Sequence, residues 1–129
     1  MTPEDADLAV KAGVGAVIVS NHGGRSLDTL PATADVLQDI ADHIGGRVPL
    51  LVDGGIRRGT DILKALALGA TAVLIGRPYL YALATAGAAG IERVVAILTL
   101  ELKMAMALLG KTTVSSIDRT VIWRGAPGR

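Results

Sequence analysis

Two stretches of the chain concentrate the residues equipped for chemistry. SNHGGR (Ser20 to Arg25) places His22 three residues before Arg25, with two glycines between them. DGGIRRG (Asp53 to Gly59) and, further on, GRP (Gly76 to Pro78) set glycines beside Arg57 and Arg77. An imidazole titrates near neutral pH and can accept a proton during turnover. A guanidinium close by can hold a carboxylate in bidentate fashion. A base with a carboxylate clamp suits chemistry on an α-substituted acid. In the other two motifs, glycines after a buried strand let backbone N–H groups approach a ligand, and a helix begins just beyond. Arg57 and Arg77 add forked donors that match phosphate oxygens. Each motif also has a plainer reading. The glycines can simply make turns, the arginines can be solvated or ion-paired, and His22 can cap a helix. At successive strand ends the two glycine–arginine motifs together favour a phosphate site.

The elements that must position these tips follow from the hydrophobic pattern. Thr2 and Pro3 start a helix that runs to about Lys11 and stops at Gly13. AVIVS, β-branched and apolar, reads as a fully buried strand. A second helix begins near Pro31, carries Val36, Leu37, Ile40 and Ile44 on one face, and ends at Gly45-Gly46. VPLLVDGG is a strand, Thr60 caps the helix DILKALAL, and AVLIG is a third strand. Helix follows after Pro78 and again from about Glu92 to Leu109, and Ser115 to Arg129 read as a loosely packed tail.

PEDADLAVKAGVGAVIVSN aligns without gaps on GTDILKALALGATAVLIGR, pairing Asp5 with Asp61, Gly13 with Gly69 and Ala16 with Ala72. A recurring helix–strand unit with doubly buried strands belongs to the α/β architectures. Either a doubly wound sheet or part of a (β/α)₈ barrel fits, and both place chemistry at the carboxyl ends of the strands. All three strands end in a polar or glycine-rich tip, so the strands deliver their tips to one face.

Composition narrows the function classes. The 129 residues suit one domain, and half are hydrophobic, but with no Phe, one Trp and two Tyr the core must be aliphatic. A formal net charge of +1 gives no reason to expect nucleic acid. The absence of cysteine removes disulfides, thiolate metal sites and a cysteine nucleophile. No His/Asp/Glu group has metal-ligand spacing, so no metal is expected. His43 reads as a solvated helix-end residue, Met104 and Met106 as core, and Trp123 as a packing anchor. The uncharged run after Arg77 reaches Ile91, too short for a membrane span. The expectation is a soluble, cytoplasmic chain.

SNHGGRSLDTLPAT followed by DGGIRRGTDILKALALGATAVLIGRP resembles the C-terminal half of the FMN-dependent 2-hydroxy-acid oxidases and dehydrogenases. That family includes glycolate oxidase, lactate oxidase and dehydrogenase, mandelate dehydrogenase and flavocytochrome b2. The resemblance implies a (β/α)₈ TIM barrel, of which this chain carries about three parallel strands with flanking helices. Residues 1–112 would be barrel units and 113–129 a C-terminal tail. It implies FMN as cofactor and oxidation of an (S)-2-hydroxy acid to the 2-oxo acid. By position, His22 matches the proton acceptor and Arg25 the residue that binds the substrate carboxylate. Ser20 matches a flavin contact, Asp53, Gly54, Gly55, Ile56 and Arg57 the ribityl-phosphate loop, and Gly76 and Arg77 the last phosphate contacts. A homo-oligomer is implied for the full-length family, with peripheral membrane association in some relatives. A non-catalytic half-barrel that binds a phosphate-bearing ligand or itself stays open. So does a non-redox FMN barrel such as type 2 isopentenyl diphosphate isomerase, although that reading leaves His22 and Arg25 unexplained.

Overall fold

The computed structural model describes residues 1–123. Helix α1 (Pro3–Lys11) leads into strand β1 (Val17–Val19), and α2 (Thr33–Ile44) into β2 (Leu50–Val52). Helix α3 (Gly59–Ala67) leads into β3 (Ala72–Val73), followed by α4 (Arg77–Leu108). Short 3₁₀ turns occupy His22–Gly24, Val114–Ser116 and Arg119–Val121. The sheet is wholly parallel in the order β1-β2-β3. All three strand ends therefore emerge on one rim.

The repeat survives in the capping chemistry. In α1 the Thr2 hydroxyl accepts from the Asp5 N–H at 3.3 Å, and the Asp5 carboxylate accepts from the Thr2 N–H at 3.2 Å. In α3 the matching Asp61 carboxylate accepts from the Arg57 and Arg58 N–H groups, both at 2.9 Å. The cap of α3 is thus Arg58, two residues earlier than the Thr60 expected from sequence. A carboxylate at the third helical position can serve the orphan donors without a hydroxyl cap.

Residue parity in the strands sets which side is dry. Val17 and Val19 share a face with Leu50, Val52 and Val73, by the register Val17↔Leu50 and Val19↔Val52↔Val73. This face packs with Leu37, Ile40 and Ile44 of α2 and Ala65 of α3 into the main core. Leu37, almost fully buried, is central to it. The other face carries Ile18, Leu51, Ala72 and Leu74, and Ile18 is 54% exposed. Parallel sheets are ordinarily covered on both sides, so this apolar face is a surface built to be covered.

Helix α4 breaks at Ala86 and Gly87, where Gly87 takes φ 58, ψ −142. This agrees with the two helical stretches read from sequence, although the second begins several residues before Glu92. By length and composition alone α4 is apolar enough to cross a membrane. The sequence count missed this because it stopped at the charged pair Glu92-Arg93. The break divides the helix all the same.

The described part of the tail is more tightly held than its composition indicates. Ile117 is buried with Leu63 and Ala67 of α3, flanked by Val121, Ile122 and Met106, and Arg119 pairs with Asp42 of α2. Residues 124–129 of the expected tail lie outside the described residues. Met104 is 57% and Trp123 87% exposed, so neither is the core residue or packing anchor expected. On the long helix, Met106 faces α3 and Met104 does not.

One ion-pair group fastens α1 to the end of α2. Asp7 meets Lys11 Nζ at 2.6 Å and Arg47 Nη1 at 2.8 Å, with His43 Nε2 at 3.9 Å. Hydrogen bonds from Lys11 and then Arg47 hold the Asp7 carboxyl down to about 2, from an ordinary 3.8. A depressed folded-state value stabilises the fold above the ordinary value, and the benefit is lost as pH falls through the folded one. Asp7→Asn is expected to lower the melting temperature at neutral pH. In thermal melts the gap from the parent should close between pH 3.8 and about 2.

Candidate functional site

The β1 tip is an organised turn. Ser20 Oγ donates to Asp53 Oδ2 at 2.9 Å and accepts the His22 N–H at 3.1 Å. Asn21 Oδ1 accepts from the Gly23 N–H at 3.0 Å, and Asn21 Nδ2 donates to the Pro31 carbonyl at 3.2 Å, closing the loop between β1 and α2. His22 has φ 54, and is the one non-glycine residue with positive φ among the described residues. A non-glycine residue in this region stores about 1–3 kcal/mol unless its surroundings dictate it, and such residues cluster at functional sites. Arg25 follows as the C-cap of the turn, its N–H donating to the His22 carbonyl at 3.2 Å. Both His22 and Arg25 are exposed.

The β2 tip is held from behind. Thr33, buried at the start of α2, donates its hydroxyl to the Asp53 carbonyl at 2.5 Å. Gly54 follows with φ 93, and a Cβ there would meet Thr33 Oγ1 at 2.8 Å. Only glycine fits both constraints. The N–H groups of Gly54, Gly55, Ile56 and Gly76 have no hydrogen-bond partner among the described residues. These donors lie in two loops at adjacent strand ends, where unsatisfied backbone N–H groups are available to an anion.

The start of α3 is a different case. Asp61 takes the Arg57 and Arg58 N–H groups, and Glu101 of α4 takes the Gly59 N–H at 2.7 Å. The helix end expected to meet a phosphate is therefore already occupied by carboxylates. The open donors lie earlier, at Gly54 to Ile56, and later, at Gly76. Asp61 lies at a legible capping distance from the loop. Glu101 does not, since it arrives from 42 residues away.

The three tips share one rim. Asn21 and Gly23 from β1, Gly54, Gly55 and Ile56 from β2, and Arg77 beyond β3 line one cavity of about 450 Å³. Arg57 and Arg77, with Pro78 and Tyr81, line an adjoining cleft of about 290 Å³. The His22–Arg25 turn reaches the first cavity through Asn21 and Gly23; His22 and Arg25 themselves are not among its lining residues. Asn21 and Thr33 also line this cavity; both lie within the SNHGGRSLDTLPAT stretch, although neither was singled out from sequence. Among the described residues no cluster of His, Asp and Glu could hold a metal ion.

The residues suit a flavin mononucleotide. Its phosphate needs several N–H donors and fixed positive charge, and the partner-free amides flanked by Arg57 and Arg77 supply both. Comparison with known proteins gives the same direction. The family described as FMN-dependent dehydrogenase matches residues 1–124. A 2-hydroxyacid oxidase of Dictyostelium discoideum is 55% identical over 123 residues, covering 95% of this chain and 32% of that protein. A peroxisomal (S)-2-hydroxyacid oxidase of Arabidopsis thaliana is 55% identical over 92% of this chain and 33% of its own length. Among solved structures, a lactate oxidase of Pediococcus acidilactici superposes with a TM-score of 0.89 at 47% identity, over 92% of this chain and 33% of that one. A mandelate oxidase variant with a monooxide FMN adduct superposes equally well, over 38% of its chain. The chain spans about a third of the length of the curated relatives it matches. The parallel helix–strand units are accordingly three consecutive units of a (β/α)₈ barrel, and the chain belongs to the FMN-dependent dehydrogenase family.

Proposed function

We propose that this chain provides the base and the cofactor-phosphate cradle for FMN-dependent oxidation of an (S)-2-hydroxy acid, of lactate or glycolate type, to its 2-oxo acid. The observation that carries the reading is the meeting of a strained His22–Arg25 turn and two partner-free glycine loops on one rim. Gly54, Gly55, Ile56 and Gly76 would hold the phosphate through their N–H groups, with Arg57 and Arg77 balancing its charge. Bound there, FMN would accept the C2 hydrogen with its electron pair, as a hydride equivalent. Arg25 grips the substrate carboxylate and so fixes the neighbouring hydroxyl. His22 takes the hydroxyl proton, leaving the oxygen to form the carbonyl as the C–H electrons depart.

Barrel closure belongs to the same proposal. The bare face of Ile18, Leu51 and Leu74 would be covered by further strands, supplied by a longer polypeptide or by association of copies. Oligomeric assembly and a cytosolic location are proposed on family resemblance and composition respectively; the Arabidopsis relative is named as peroxisomal.

Comparing FMN with riboflavin isolates the phosphate. In fluorescence titrations FMN is expected to bind at least about 100-fold more tightly, since charge-assisted hydrogen bonds contribute about 1.5–3 kcal/mol each. Arg57→Ala combined with Arg77→Ala should remove most of that advantage. Equal affinity for the two flavins in the parent would overturn the cradle.

A further inference from the structure

The His22 N–H enters a hydrogen-bond chain that ends in a carboxylate just beyond the neighbouring strand. His22 donates its backbone N–H to Ser20 Oγ at 3.1 Å. A serine hydroxyl has one proton and two lone pairs. The proton of Ser20 goes to Asp53 Oδ2 at 2.9 Å, which leaves its lone pairs to meet the His22 N–H and any ligand donor. The other oxygen, Asp53 Oδ1, is buried and has no partner among the described residues. Among those residues the carboxylate therefore acts through Ser20 alone.

The setting makes this arrangement consequential. His22 is the residue held at φ 54, and Ser20 provides the side-chain bond to its N–H. The second contact of the turn, Asn21 to Gly23, holds the next residue and leaves His22 untouched. Asp53 is in turn fixed through its own backbone, its N–H donating to the Val19 carbonyl at 3.3 Å and its carbonyl accepting from Thr33. The β2 tip is thus a rigid post against which the β1 turn is braced.

We infer that Asp53 is a positioning residue for His22: its carboxylate fixes the Ser20 hydroxyl as an acceptor, and that acceptor holds the base in its left-handed backbone conformation. This rests on the oxidation proposed above, in which His22 is the proton acceptor. It leaves Ser20 able only to accept hydrogen bonds from a ligand.

Two readouts test the inference, one independent of turnover. In amide hydrogen exchange on the flavin-free chain, Ser20→Ala and Asp53→Ala should each raise the exchange rate of the His22 amide about tenfold or more. Ser20→Thr, which keeps a hydroxyl, should restore protection. Thr33→Val loosens the Asp53 backbone but keeps the Ser20–Asp53 bond, and should raise exchange at the His22 amide less than Ser20→Ala does. In the flavin-loaded protein, Asp53→Ala should lower the rate constant of flavin reduction by lactate at least tenfold while shifting KM less than threefold. Ser20→Ala should do the same, and the double variant should be no slower than the worse single one, because both remove one linkage. If Asp53→Ala does not fold, Ser20→Ala and Ser20→Thr carry the comparison. Unchanged exchange at His22 in Ser20→Ala, or additive losses in the double variant, would overturn the inference. Removing the His22 side chain separates the two ideas. If His22→Asn reduces flavin as the parent does, the oxidation itself is misassigned. If it does not, while Asp53→Ala behaves as the parent, only the positioning role fails.

Discussion

His22→Asn in the flavin-loaded protein is expected to bind FMN as the parent does and to reduce it with lactate or glycolate about 10²–10⁴-fold more slowly, the usual contribution of a positioned general base. Asparagine is the informative replacement, because it tolerates the left-handed region that His22 occupies at φ 54. Alanine would confound loss of the base with backbone relaxation. The Ser20 bond reaches the His22 N–H, so it survives the substitution. Flavin affinity should hold because the proposed cradle of Gly54, Gly55, Ile56 and Gly76 does not include His22. Anaerobic mixing with substrate, followed by bleaching of the flavin, reads the rate. Bleaching at the parent rate would remove His22 from the chemistry.

A large effect on stability is expected at Gly59. A Cβ there would lie 2.2 Å from the Leu102 nitrogen and 2.4 Å from the Glu101 carbonyl carbon, so α3 and α4 touch backbone to backbone. Gly59→Ala must force them apart. That costs about 1–3 kcal/mol in overpacking, and it threatens the charge-assisted bond from the Gly59 N–H to Glu101, worth about 1.5–3 kcal/mol. The helix preference of alanine over glycine returns only about 0.5–1 kcal/mol. Overpacking wins, and the melting temperature should fall by on the order of 10 °C. Gly15→Ala is the control: its Cβ meets nothing within 4 Å and its φ is not positive, so it should melt at or slightly above the parent temperature. Equal melting of the two variants would show that α3 and α4 do not meet as described.

The contrast between Gly59 and Asp61 shows what the sequence could reveal. Asp61 caps α3 from inside its own helix, where the sequence pointed to Thr60 and the repeat paired Asp61 with Asp5 without revealing that role. Gly59 reads as the last residue of a phosphate loop, yet it is a packing glycine whose partner comes from a distant part of the chain. Local patterns carried the helices, the strands and the three tips, because each rests on neighbours a few residues apart. They could not carry the Ser20–Asp53 bond or the Glu101 cap, which depend on strand register and helix packing. The same limit explains Trp123 and Met104, whose residue types suggest burial but whose places on the surface are set by tertiary packing.

The three tips were legible because they are short runs at strand ends, where a parallel sheet gathers them without further instruction. Which loop leaves its N–H groups open was not legible. Asp61 and Glu101 close the start of α3, and only the assembled structure shows that the open donors lie at Gly54 to Ile56 and at Gly76. The proposed phosphate cradle therefore rests on which amides the protein does not satisfy itself.

A crystal structure with FMN and a 2-oxo acid bound probes the shared rim at once. The phosphate should lie within hydrogen-bond distance of the Gly54, Gly55 and Gly76 N–H groups, with the imidazole of His22 and the guanidinium of Arg25 on the oxo acid. A phosphate seated against Asp61 and Glu101 at the start of α3, or an oxo acid remote from His22, would contradict it.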